Sequence, residues 1–291
     1  MKSSKHDYPM SETLRTGALL ALVGGFFDAY TYIARGGVFA NAQTGNVVLL
    51  ALNIAEGNFV KAVSYLIPIL AFILGIFTSE LIHSREPKLP LHWRQIIVAL
   101  EIVTVCIVAF IPTEKGLYSY NMLANVIISY VCSLQVQAFR RIHGITAATT
   151  MCTGNLRSGT DLLMRYQKGR NKQDLIDGFK YYLINLIFIV GAIISVFVTR
   201  QFGGLAVIFC SIPLIIVFIL MFFSPRPASR RSQFRNDSHR DIIILFPREE
   251  SNNREGAVTG SFFCPREQRF RGCWGDFFAK VPLTGGSALL L

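Results

Sequence analysis

Apolar residues occupy this chain in long runs broken by short clusters of charge. A helix that crosses a bilayer needs about 20 mostly apolar residues. Six stretches meet that length: 14–34, 60–82, 93–111, 117–138, 179–199 and 203–223. Two more, 41–55 and 145–165, fall short. The first is apolar only from Val47 to Ala55, and the second carries Arg157, Asp161 and Arg165. The pattern predicts an all-α, polytopic transmembrane helix bundle with about six spans and two short re-entrant or half-spanning helices.

Charge placement decides whether the short helices cross, because cytoplasmic loops gather Lys and Arg. With six spans and both termini cytoplasmic, the inside holds Lys2, Lys5, Arg15, Arg85, Lys88, Arg94, Arg140, Arg141, Arg157, Arg165, Lys168, Arg170 and Lys172. The outside keeps Arg35, Lys61, Lys115 and Arg200. Eight spans would put Arg85, Lys88, Arg94, Arg140 and Arg141 outside, which fits worse. Segment 14–34 is too long for a signal-peptide core and has no clear small-x-small cleavage site, so it reads as a retained first span.

Both short helices are marked by one tripeptide, Thr44-Gly45-Asn46 and Thr153-Gly154-Asn155. Sliding the chain by that spacing lays Asp28 over Gln137, Tyr30 over Phe139, Ile33 over Ile142 and Ala40 over Thr149. After a longer second loop, Tyr65-Leu66-Ile67 falls over Tyr182-Leu183-Ile184, and Pro68 over Asn185. Weak symmetry in a very apolar chain is a trace of transporter-like duplication. Repeat one runs over about 14–111 and repeat two over about 117–223. Three spans per half, an odd number, make the repeats inverted, and parallel four-helix halves are the competing arrangement.

The turn has its own chemistry. Thr44 or Asn46 can cap a helix starting at Val47, and Gly45 allows the bend. A helix N-terminus at membrane depth offers free amides to an anionic group. The same caps close ordinary helices with no ligand, so one copy alone favours a structural role, while two copies at matching positions bring the readings level. Asn41 and Gln43 precede the first turn, and Thr146, Thr149 and Thr150 the second. They line a polar path or allow close helix packing.

Two acids lie inside predicted spans, Asp28 after Gly24-Gly25 and Glu101 in the third span. A carboxyl group there is costly unless paired, hydrated or protonated, and is functional by default. Each also has a structural reading: Asp28 reaching interfacial water, Glu101 bonding a neighbouring helix. Asn125 and Gln135 are candidates for interhelical hydrogen bonds, and Pro68 and Pro213 for kinks.

Composition agrees with a membrane class. The 291 residues are 52% hydrophobic, with mean hydropathy +0.42, too apolar for an ordinary soluble domain. The net charge of +11 comes from cytoplasmic loops and an Arg-rich tail, and no aromatic-interleaved basic patch suggests nucleic acid. Six cysteines form no CxxC pair, so neither zinc nor a disulfide framework is indicated. GxSxG, HExxH and P-loop signatures are missing, so no enzyme is expected, and no metal or cofactor.

Gly17-Ala-Leu-Leu-Ala-Leu-Val-Gly-Gly-Phe-Phe-Asp28-Ala-Tyr30-Thr-Tyr, then Phe39-Ala-Asn41-Ala-Gln43-Thr44-Gly45-Asn46, resembles the YoaK-like family of bacterial integral membrane proteins, a domain of unknown function. Met151-Cys-Thr153-Gly154-Asn155 and Asp161 look like its second block. The resemblance covers about 14–223 and implies a multi-pass protein of the bacterial plasma (inner) membrane. It implies no substrate.

Residues 1–13 read as a cytoplasmic N-terminus. Beyond Ser224 the apolar periodicity stops, and from Arg226 to Arg271 every Lys or Arg is Arg. Segment 224–291 reads as a disordered tail or as an out-of-frame extension of the membrane domain, with the second favoured.

The expectation is a small-solute transporter or permease-like protein. Its substrate site would hold Asp28, Asn41, Gln43, Thr44, Gly45 and Asn46 from one half and Gln137, Thr153, Gly154 and Asn155 from the other. Asp28 and Glu101 would couple protons. The expected partners are the lipid bilayer and a small solute, not nucleic acid. The alternative is a non-transporting scaffold or sensor whose basic loops, Arg165 to Lys172 above all, bind anionic lipid or a protein.

Overall fold

The computed structural model describes residues 9–85, 91–113 and 118–223, without the side chains of 118 and 119. Both readings of segment 224–291, and most of the N-terminal segment, lie outside the described residues.

The described residues form eight α-helices: α1 (Leu14–Ala34), α2 (Gln43–Ala55), α3 (Phe59–Ser84), α4 (Trp93–Ala109), α5 (Tyr118–Ala138), α6 (Cys152–Gly169), α7 (Lys172–Phe202) and α8 (Ser211–Phe222). A 3-10 segment, Gly203–Cys210, leads into α8. A 3-10 turn, Met10–Glu12, precedes α1, and a two-stranded hairpin, β1 (Arg141–Ile142) and β2 (Ile145–Thr146), is one the apolar pattern did not announce. His143 and Gly144 at its tip both have positive φ, as the tightest hairpin turns require.

Among the described residues, three stretches are long and apolar enough to cross a membrane: Leu14–Ala34, Phe59–Ser84 and Lys172–Phe222. The last is 51 residues long and contains the reversal at Gly203, whose φ is +57°. α4 has 17 residues.

Cross-contacts give each helix a direction. α1 and α7 run parallel: a Cβ on Gly25 would overlap the Phe188 carbonyl, one on Gly191 that of Leu22, and further along Tyr30 Oη donates to Gly204 O at 2.9 Å. α3 and α5 are also parallel, crossing where a Cβ on Gly75 would meet Tyr130 and Ser133, with Gln137 Nε2 donating to Glu80 beyond. α1 and α5 are antiparallel, since Gln135 bonds Leu20 O while Asn125 bonds Arg35 O. α4 runs with α1, tied by Arg94 to Glu12 at one end and by Arg35 to Val108 O at the other. α8 runs back toward the 3-10 turn Met10–Glu12. So α1, α4 and α7 point one way, and α3, α5 and α8 the other.

Pro213 does not kink α8. It sits in the helix's first turn, where a proline's missing N–H would have no partner anyway. Pro68 lies within α3, which continues through it.

Polarity is turned inside out. Leu70, Ile73, Leu74 and Phe77 on α3 and Phe179, Leu186, Ile193 and Phe197 on α7 are exposed, whereas Asn46, Glu101, Asn125, Gln135 and Arg35 are buried. In water such apolar stripes would drive association. Against hydrocarbon they are the right surface.

Arg35, expected in an outer loop, follows α1 as its C-cap residue but is buried rather than solvated. It is 1% exposed, and its guanidinium donates to Pro112 O at 2.9 Å, Val108 O at 3.1 Å and Ile111 O at 3.0 Å. Nε donates to Tyr30 Oη at 2.9 Å. The cation meets carbonyls at and just beyond the α4 C-terminus, the end of a helix that carries partial negative charge.

Candidate functional site

After α1 ends at Ala34 the chain turns back alongside it. Asn41 Nδ2 donates to Gly24 O at 3.1 Å, and Gly24 lies about ten residues before the helix end, roughly 15 Å at about 1.5 Å per residue. α2 therefore starts near the mid-height of α1. The second turn reaches the same place: a Cβ on Gly24 would lie 3.0 Å from Thr149 O and 3.2 Å from Thr150 Cγ2. Both short helices begin against one glycine of α1, a position where any larger residue would push the second turn away.

The tripeptides work differently from the capping expected. α2 begins at Gln43 and α6 at Cys152, so each Thr-Gly-Asn lies inside the first turn, with no side-chain bond from either N-cap residue, Ala42 or Met151. Asn reaches backward instead. Phe39 N donates to Asn46 Oδ1 at 2.9 Å, and Asn46 Nδ2 donates to Phe39 O at 2.7 Å. Ala148 N donates to Asn155 Oδ1 at 3.1 Å, and Asn155 Nδ2 to Ala148 O at 2.7 Å. Each Asn satisfies both backbone groups of the residue seven positions earlier. The two clamps are related by one shift, since 155 − 46 and 148 − 39 both equal 109.

What anchors each clamp differs. In the first, Asp28 Oδ1 accepts Asn41 N at 2.6 Å and Ala42 N at 3.4 Å, and Gln43 joins through Asn46 Nδ2, which donates to Gln43 Oε1 at 2.9 Å. A carboxylate on α1 thus faces the positive end of α2. In the second, Asn155 Nδ2 donates to Asn185 Oδ1 at 3.1 Å, and Asn185 Nδ2 to Cys152 O at 3.2 Å. That anchor belongs to α7. Gly45 is covered by the Phe39 ring, 3.0 Å from where a Cβ would stand, while Gly154 faces open space.

The structure thus gathers Asp28, Asn41, Gln43, Gly45 and Asn46 around one turn and Gly154 and Asn155 around the other. Thr44 and Thr153 are exposed on the outer side of their helices. Gln137 is not brought to the site; it bonds Glu80 instead. Glu101 is fully buried on α4, and neither carboxyl oxygen has a hydrogen-bond partner among the described residues.

Gln135, expected to bond across helices, does more. Its Nε2 donates to Thr149 Oγ1 at 3.0 Å and to Leu20 O at 3.2 Å, tying α5, α1 and the second turn together. Asn185 had been noted only as the residue opposite Pro68. A polar side chain amid an apolar run was the signal for both. Among the described residues, no group of three or more His, Cys, Asp or Glu could hold a metal ion.

Apolar helices turned outward around a polar interior define an integral membrane protein. Residues 16–220 match the family described as "Protein of unknown function (DUF1275)", and the chain belongs to that family. It is 25% identical over 209 residues to the UPF0700 transmembrane protein YoaK of Bacillus subtilis (strain 168), a match covering 70% of this chain and 90% of that protein. No solved structure matches it.

Proposed function

We propose that the chain is a small-solute permease of the bacterial plasma membrane, with six spans arranged as two inverted repeats of three and both termini cytoplasmic. The observation that carries this reading is the pair of Asn clamps, related by one shift, whose turns reach Gly24 through Asn41 and Thr149–Thr150 and follow helices α1 and α5 that run in opposite directions. In transporters built of inverted repeats, solute sites lie near the midplane where interrupted helices meet. Non-helical backbone at that depth is tolerated where protein buries it or water wets it. The solute site is formed by Asp28, Asn41 and Gln43 with Thr150 and the α6 N-terminus opposite. Asp28 and Glu101 carry the coupling charge by exchanging protons.

Reporter fusions after Gly57 and after Lys168 test the inversion. Opposite sides support it, and the same side removes the geometric basis of the site. Thiol labelling tests the wet centre. Cys152 and a Gln43→Cys variant should react with a water-soluble reagent in the intact membrane, and inertness of both would leave a packed core in place of a pathway. In a flux assay, Asp28→Asn should abolish uptake while membrane insertion persists.

A second reading has its own support. α6 exposes Arg157, Lys168, Leu156 and Met164 together, a mixed apolar and basic surface suited to an anionic leaflet. In that reading the protein is a scaffold or sensor and the clamps only hold the fold. Reporter sites on opposite sides with inert thiols would favour it.

A further inference from the structure

The meeting point of the two turns holds oxygen atoms that no described residue satisfies. Asn41 Oδ1, Gln135 Oε1 and Thr150 Oγ1 are buried without a hydrogen-bond partner, in residues only 2%, 0% and 2% exposed. Their placement is fixed by the other atoms of the same residues. Asn41 Nδ2 is on Gly24 O, Gln135 Nε2 on Leu20 O, and Thr150 packs on the Gly24 backbone. All three therefore surround one turn of α1, residues 20–24, with Asp28 one turn above. Native proteins rarely leave a buried acceptor empty, because its lost hydration goes uncompensated.

The chemistry of the set is one-sided. Two of the three oxygens belong to amide carbonyls, which can only accept, and the third is a hydroxyl that can also accept. Beside them stands one carboxylate. Asp28 forms no ion pair with Lys, Arg or His among the described residues, whose pairs involve Glu80, Glu12, Asp161 and Asp177. Its two backbone donors, Asn41 N and Ala42 N, answer part of the charge. A water molecule could bond the acceptors, but whenever Asp28 is ionised it would leave that charge unbalanced. Hard oxygen ligands with a single negative charge suit a small monovalent metal cation. Soft or divalent metals would call for more thiolate, imidazole or carboxylate groups than stand here.

We infer that the junction of the two turns binds a dehydrated monovalent cation of sodium's size, held by Asn41 Oδ1, Gln135 Oε1, Thr150 Oγ1 and the carboxylate of Asp28. This rests on the permease reading for its purpose, because it makes the cation a coupling ion alongside the proton. It also gives the Asn41 and Gln135 bonds to α1 a second role, aiming the opposite end of each amide at the ion.

The test is the unfolding midpoint of the purified full chain in detergent, titrated with sodium chloride, potassium chloride or choline chloride at matched ionic strength. Wild type should gain a saturable rise of about 2–4 °C in sodium, a smaller one in potassium and none in choline. Gln135→Leu and Asn41→Ala should each lose the sodium response. Equal midpoints in all three salts overturn the inference, and so does a sodium response that survives in both variants. If neither variant folds, the salt comparison on wild type decides alone. No flux is involved. Sodium stabilisation with no uptake of any solute would count against the permease and leave the cation site standing, and uptake without sodium stabilisation would do the reverse.

Discussion

The two Thr-Gly-Asn turns share a clamp and differ in what holds it. The first is braced from behind by Asp28 on the preceding helix, with the Phe39 ring over its glycine. The second is braced from ahead by Asn185 on the following helix, and its glycine is open. One backbone device is thus fitted with a charged support in one half and a neutral one in the other. The part that shapes the backbone is common to both turns, and the part that sets the local field is not. That division is what a site needs if its two sides are to meet different parts of one ligand.

The largest expected effects test the shared part. Asn46→Ala and Asn155→Ala each strip two bonds from backbone groups shielded from water, worth about 3 kcal/mol together. Thermal unfolding in detergent should fall by a similar amount for both. A loss confined to one variant would break the equivalence of the clamps. Next comes the unshared part. Asp28→Leu leaves Asn41 N and Ala42 N without an acceptor and should destabilise by about 2 kcal/mol. Gln137→Leu, at the matching position, removes only a contact to Glu80 and should stay within about 0.5 kcal/mol. Equal losses would mean that Gln137 supports the second turn after all.

Glycine replacements sharpen the comparison further. Alanine favours a helix over glycine by up to about 1 kcal/mol. Gly154→Ala should realise that gain in open space, while Gly45→Ala should lose it against the Phe39 ring. A chemical-denaturation series on the two variants would show whether the difference has this sign. Smallest of all, Arg165→Gln breaks the exposed pair with Asp161 at 2.7 Å and should change stability by no more than about 0.5 kcal/mol.

Much of the fold was legible because bilayer thickness writes itself into run length. All six long stretches appear as helical segments within a few residues of their expected limits, except that α7 starts seven residues early, at Lys172 rather than 179. Charged residues there, Lys172, Asp174, Asp177 and Lys180, broke the apolar run without breaking the helix, since Lys180 pairs with Asp177 one turn away. The tripeptide marks both short helices, but a cap at Thr44 or Asn46 puts the start of the first at Val47, four residues later than α2 begins. The reach of Asn back over seven residues depends on a loop path that composition does not encode. Of the candidate site, Asp28 and Asn41 were legible as polar residues in apolar surroundings. Gln137 was assigned by repeat alignment alone, and alignment cannot tell which face of α5 looks inward. Two residues earlier, Gln135 faces α1, and it joins the junction while its neighbour does not.

Arg35 bears on how the chain is made. Its guanidinium is completed by the carbonyls of Val108 and Pro112, 73 and 77 residues further on. A growing chain emerges in order, so a fragment that ends before α4 carries this cation with only Tyr30 of these partners to receive it. The first three helices are then not a self-sufficient folding stage, and maturation has to wait for the fourth. A nascent-chain series truncated on either side of Pro112 should change abruptly in protease resistance at that point. Protein quality control would meet one well-defined late checkpoint, set by a single side chain waiting for the end of a helix.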